Sequence, residues 1–180
     1  MDIKSIDGTV IMTVEGSSLA GMSFEEADLS EADLQGADLH GAYLYEANLS
    51  GAKLTRADLA SAYLYKANLS GADFQEANLC GATLRGANLC GVRFLDANIS
   101  GADFSGADLS GSGMTPEVLQ GRGAVFDENT KFGVERPIVA SSSGPHCGQA
   151  MPDKEALRAS GLGKLDLSAL TPAERAALGL

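Results

Sequence analysis

From Leu19 to Met114 every fifth residue is apolar, Leu in most places and Phe at 24, 74, 94 and 104. Two residues before each of them, from Ala27 to Ala107, stands Ala, with Val92 as the exception. The unit reads Ala, polar, Leu or Phe, then two small or polar residues, as in ADLQG, ANLSG and ADFSG. A helix would repeat its apolar face every 3.6 residues and a strand every two. Here the local spacing is two, but the phase resets every five residues. A chain that turns a corner after each short extended piece gives this pattern. Each piece points Ala and Leu inward, and the corner restores that facing.

If four such pieces close a square coil of twenty residues, the stretch 17–116 makes about five stacked coils. One coil cannot bury its own Leu and Ala, whereas stacked neighbours share a continuous core. At a strand spacing of ~4.8 Å, five coils rise roughly 24 Å. The interior files are Leu34, Leu54, Phe74 and Phe94 on one wall, and Leu44, Leu64, Leu84 and Phe104 on another. Gly stands at most corners, but Glu31, Glu46, Arg56 and Lys66 stand at others. The expectation is therefore a mixture of turn types, with positive φ not required at every corner.

The run from about Ala27 to Ser110 resembles the pentapeptide-repeat family, whose pattern is A[D/N]LxG or close to it. The resemblance implies an all-β solenoid, a right-handed quadrilateral parallel β-helix. Handedness and the four-sided section are the family's, not the spacing's.

Positions twenty apart then stack into outer columns. One face carries Ser23, Tyr43, Tyr63, Thr83 and Asp103, and beside them Glu25, Tyr45, Tyr65, Arg85 and Ser105. All four tyrosines form one two-by-two block, with Arg85 a coil above Tyr65, in range of a cation–π contact. Tyr43, Tyr45, Tyr63, Tyr65 and Arg85 are the candidate partner-binding residues, since Tyr and Arg are enriched at interaction hot spots. Ladder stabilisation by stacked rings is the competing and favoured reading of the same block. The other faces carry Asp28, Asn48, Asn68, Asn88, Asp108; then Asp33, Lys53, Asp73, Arg93; then Asp38, Asp58, Asn78, Asn98. Asn replacement or alternating sign avoids most stacked like charges. Lys66 lies over Glu46, and Arg56 under Glu76.

The ends need covers, because open strand edges invite association. Residues 1–16 read as a hairpin cap, with strands at 2–6 and 9–14 joined by Asp7-Gly8. Ile3, Ile6, Val10, Met12 and Val14 are its candidate covering residues. Residues 117–139 read as a degenerate cap. Thr115-Pro116 opens a helical turn, AVFDENTKF (124–132) gives a further half-coil, and Phe132 slips by one. Residues 140–150 are a Ser/Gly linker. Residues 151–180 are a tail with two short helical pieces, 152–159 and 171–178, the second with a Thr171/Glu174 capping box. The tail docks on the column, docks on a partner, or stays mobile.

A net charge of −11 disfavours direct nucleic-acid binding and adsorption to anionic lipid. Between Glu15 and Asp38 there are seven acids and no Lys or Arg, so one end of the column is negative. No apolar run is long enough to span a membrane, and the N-terminus lacks a signal peptide's pattern. Three cysteines without CxxC spacing point to a reducing compartment, the cytoplasm.

No catalytic, metal or cofactor residue is assigned. His40 and Cys80 share a column but lie two coils, about 9.6 Å, apart. His146-Cys147 falls short of a zinc ligand set. Val92-Arg93-Phe94-Leu95-Asp96 is the least regular unit, read as a bulge of packing rather than a contact point. Enzyme activity is not expected. The leading reading is a non-enzymatic protein-interaction or scaffolding module with an unidentified protein partner. The tail or a column end offers a route to a homodimer. The alternative, implied by the resemblance, is a DNA mimic that binds or protects a type II topoisomerase such as gyrase. Five coils span only about seven base-pair steps, so a dimer would be needed, and the carboxylates do not form long columns.

Overall fold

The computed structural model describes residues 1–133. The expectations for 140–150 and 151–180, and for 134–139 of the C-terminal cap, lie outside the described residues.

Parallel bridges link residues twenty apart in four columns. One runs Ser23–Tyr43–Tyr63–Thr83–Asp103 and the next Asp28–Asn48–Asn68–Asn88–Asp108. The others run Asp33–Lys53–Asp73–Arg93 and Asp38–Asp58–Asn78–Asn98. Units inside the column place their peptide N–H groups in a recurring way. In Ala47–Gly51, Asn48 donates to Ala27 O below (2.9 Å) and Leu49 to Asn68 O above (2.7 Å). The corner Gly51 donates to Ser70 O above at 2.9 Å, and the Ala47 N–H closes the preceding turn on Leu44 O at 3.2 Å. One N–H is left, on Ser50, and the Asn48 side chain accepts it at 3.2 Å. The same Asx turn recurs at Asp28, Asp58, Asp73, Asn88 and Asp108. Where a unit carries Asp or Asn at this position, that side chain is the acceptor for the one donor the inter-coil hydrogen bonds leave over.

The inward Ala and Leu fill the core. Leu44, Leu64, Leu84 and Phe104 are fully buried, and so are Leu54 and Phe74. Leu34 and Phe94, nearer the ends, are buried almost as completely. The Phe74 and Phe94 rings stack at 5.7 Å and 6°, with Phe104 edge-on to Phe94 at 6.0 Å.

The corners overturn one expectation. Every fifth residue from Gly21 to Gly111 has positive φ, and eight of them are not glycine: Glu26, Glu31, Glu46, Arg56, Ser61, Lys66, Glu76 and Asp96. A single turn geometry recurs, because every coil must hand the chain to the next face at the same place. The left-handed strain at these L residues is carried by the surrounding hydrogen bonds.

At the N-terminus β1 (Asp2–Ser5) and β2 (Val10–Thr13) form an antiparallel hairpin. The Gly8 N–H donates to Ser5 O at 2.8 Å, and Thr9 N–H to the Asp7 carboxylate at 2.9 Å. β1 also pairs antiparallel with β3 (Ala32–Asp33), covering the lower edge of the third face. Ile3 is buried, and Ile11, Met12 and Val14 pack against the core. Ile6 and Val10 do not, being 57% and 49% exposed. Alternation puts Ile6 on the Lys4 side of β1, and a register shift after Ile3 sets Val10 opposite Lys4.

At the other end α1 (Pro116–Gly121) is capped by Thr115, whose hydroxyl accepts the Val118 N–H at 3.4 Å. Leu119 is fully buried. Val125 then bridges to Asp103 and Lys131 to Asp108. The offset has grown from twenty to twenty-two and then to twenty-three. The last step is the slip at Phe132, made by a turn in which the Asp127 carboxylate accepts N–H groups from Gly106 (2.8 Å) and Asn129 (3.0 Å).

Candidate functional site

The tyrosine block forms as two parallel stacks. Tyr43 lies on Tyr63 with ring centroids 4.9 Å apart and 4° between planes. Tyr45 lies on Tyr65 at 5.5 Å and 12°. The bridges Ser23–Tyr43–Tyr63–Thr83 fix the first pair in register. The second pair sits two residues on, where period two returns the side chain to the same face. All four tyrosines are more than a third exposed.

Arg85 does not complete the block as expected. Its guanidinium turns to Asp103, with Nη1 3.4 Å from Oδ2. The carboxylate offers a charge-assisted hydrogen bond that a ring face cannot. The cation over Tyr65 is Lys66, whose Nζ lies 5.2 Å from the ring centroid. Lys66 also reaches Glu46 Oε1 one coil below at 3.3 Å. Its position directly after Tyr65, at a corner, was the available signal. The Glu46 carboxylate, followed by the tyrosines, raises the Lys66 pKa above its ordinary value. The hydrogen bond from Tyr45 to Glu46, then burial, raises the Tyr45 phenol. Tyr45, Glu46, Lys66 and Tyr65 therefore form one coupled surface group.

Elsewhere on the column several charges pair with the coil above or below. Arg56 makes a two-pronged pair with Glu76, at 2.8 and 3.3 Å, and holds the Glu76 carboxyl below its ordinary range. Arg93 pairs with Asp73 at 3.2 Å. In the second column each amide donates downward at 3.0 Å, Asn88 to Asn68, Asn68 to Asn48, and Asn48 to Asp28. Among the described residues no group of three or more His, Cys, Asp or Glu side chains could hold a metal ion. No described helix is long and apolar enough to cross a membrane.

Comparison with known proteins bears on the whole column. No curated protein matches the sequence. Among solved structures, a pentapeptide repeat protein of the Arabidopsis thaliana thylakoid lumen is 31% identical, over 56% of this chain and 58% of that one, with a TM-score of 0.33. This chain therefore spans a little over half of that protein. Rfr23, a pentapeptide repeat protein from the cyanobacterium Cyanothece 51142, is 28% identical over 62% of this chain and 88% of its own, with a TM-score of 0.39. Trypsin-treated QnrB1, a plasmid-mediated fluoroquinolone resistance protein, is 24% identical over 64% and 74%, with a TM-score of 0.27. The family model for pentapeptide repeats matches eight copies at residues 14–44, 42–79 and 72–111. Over more than half its length, with the Ala-Asp/Asn-Leu unit and its recurring corner both present, the chain belongs to the pentapeptide-repeat family.

Proposed function

We propose that the chain is a non-enzymatic interaction module, a right-handed four-sided column of about five coils that presents the tyrosine face to a partner protein. The observation that carries this reading is the exposed pair of tyrosine stacks with Lys66 and Glu46 at its border. Rigid aromatic side chains on a fixed backbone lose little conformational entropy on binding, which suits them to anchor an interface. The test is a cross-linking pull-down with the full chain and with Tyr43, Tyr45, Tyr63 and Tyr65 changed together to Ala. Folding of the variant is checked by thermal melting. Loss of the wild-type cross-links from the folded variant supports the face, and identical recoveries remove it.

A second reading, a DNA-mimicking binder of gyrase, is favoured by the acid-only stretch between Glu15 and Asp38. It is weakened along the column, where the Asp28 and Asp58 carboxylates accept amides and Glu76 and Asp73 are paired with arginines. A gyrase supercoiling assay with and without fluoroquinolone tests it. No effect at tens of micromolar, a range of protein excess over ordinary specific affinities, ends it.

A further inference from the structure

The third face ends one rung short. Gly113 is in phase to follow Arg93, yet among the described residues it makes no bridge to it. Residues 112–114 close a local turn instead. The Ser112 N–H and hydroxyl both donate to Leu109 O, at 3.1 and 2.7 Å, and that hydroxyl accepts the Met114 N–H at 3.2 Å. Gly113 takes φ +74, outside the extended range a rung needs.

Among the described residues, a strand edge is left open at Val92–Asp96. One rung lower, Phe74 N–H donates to Arg93 O and Glu76 N–H to Leu95 O, each at 2.9 Å, and Ala72 O accepts Arg93 N–H at 3.1 Å. The equivalent groups, Phe94 N–H, Asp96 N–H and the Val92 carbonyl, meet no backbone partner among the described residues. Beside them opens a groove of about 450 Å³, walled by Val92, Leu95, Met114 and Val118, with Arg93 and Arg122. Leu95 is 62% exposed. Among the described residues no Asp or Glu lines the groove, on a chain whose net charge is −11.

We propose that this edge receives one extended strand of a partner protein, continuing the parallel stack, with a carboxylate over Arg93 and an apolar side chain in the groove beside Leu95, Met114 and Val118. Unpaired main-chain groups beside an apolar groove give strand addition its affinity, and the flanking side-chain contacts give it selectivity. The column below supplies the charge rule. It alternates Asp33, Lys53, Asp73, Arg93, so the next favourable neighbour is acidic. This site is separate from the tyrosine face and stands or falls without it.

The test is titration of the full chain, followed by NMR, with a capped peptide Gly-Ala-Asp-Leu-Ser-Gly. Binding tighter than about 1 mM, with shifts centred on Val92–Asp96, Met114 and Val118, is expected. In the continued stack the peptide's Asp N–H donates to Val92 O, so N-methylation there abolishes binding. Lys in place of that Asp weakens binding by about threefold or more. Arg93→Glu reverses the preference between the two peptides. If that variant melts early, Leu95→Glu, at an exposed position, is expected to lose affinity instead. Equal binding of the methylated peptide, or none below about 1 mM, overturns the proposal. Binding only to a chain carrying Asp166→Lys and Leu167→Asp would mean that the chain's own Leu165–Ser168 fills the groove, and overturns a partner strand.

Discussion

The Lys66 ammonium lies 3.3 Å from the Glu46 carboxylate one coil below, bridging two turns of the column beside the stacked rings of Tyr45 and Tyr65. Lys66 and Tyr45 both have pKa values raised in the folded chain, above ordinary values of 10.5 and 10.0, and Glu46 is the first cause of each shift. A raised folded value contributes stability that is fully present below the unfolded pKa. That contribution is lost as pH rises through the folded value. Urea midpoints should therefore fall above about pH 10, and fall less steeply in Glu46→Gln. Ultraviolet titration of the tyrosines should show one phenol ionising later than the others, and returning toward the ordinary range in that variant.

The amide column has a direction, and substitutions should reveal it. The Asn68 oxygen accepts the Ser70 N–H, which leaves its nitrogen to donate down to Asn48 at 3.0 Å. Asn68→Asp removes that donor and sets two acceptors face to face, at a cost of about 1–3 kcal/mol. Asp58→Asn should be neutral or stabilising. It keeps the acceptor for Ala60 N–H and for Asn78, and it removes a charge stacked over Asp38. Denaturant melts of the two variants test the contrast.

The corner strain can be read from paired substitutions. Gly71 has φ +69 and open space where a Cβ would sit, so Gly71→Ala isolates the backbone term. It should destabilise by about 1 kcal/mol. Ser61 has φ +56, and Ser61→Gly should stabilise by roughly 0.5 kcal/mol, since relief of strain exceeds the added chain entropy. Equal and opposite failures in urea melts would show that the corner is not the strained element.

Tyr43 and Tyr63 are expected to couple. A double-mutant cycle to Ala should give about 0.5–1.5 kcal/mol for the stacked pair. Tyr43 with Tyr65 should give less, since those rings belong to different stacks.

The sequence displayed the columns from Ser23 to Asp108, because burial repeats them every twenty residues there. Asp58 over Asp38 and Asn98 over Asn78 could be written down from spacing alone. Turn chemistry was hidden. Glutamate, arginine and lysine at corners argued for varied turns, yet stacking imposed one conformation on all of them, against their own backbone preference. The tyrosine block was legible because it depends on position alone. Its cation was not, because Arg85 had two neighbours to choose between, and only the side-chain geometry assigned it to Asp103 rather than Tyr65. The open edge over Arg93 was also hidden. Gly113 and Met114 keep the phase of a rung, and the turn that displaces them depends on the Ser112 hydroxyl.

The offset of twenty residues also limits how such a chain can change length. An added segment of twenty residues inside the column leaves every later residue on its own wall, so Lys66 could still find a partner of the kind it has now. An added segment of five rotates everything beyond it by one wall. Tyr63 and Tyr65 would then leave Tyr43 and Tyr45, and the amides of Asn68 and Asn88 would part from Asn48. Growth by whole turns is compatible with a surface built from vertical neighbours, and growth by single repeats takes that surface apart while leaving the core intact.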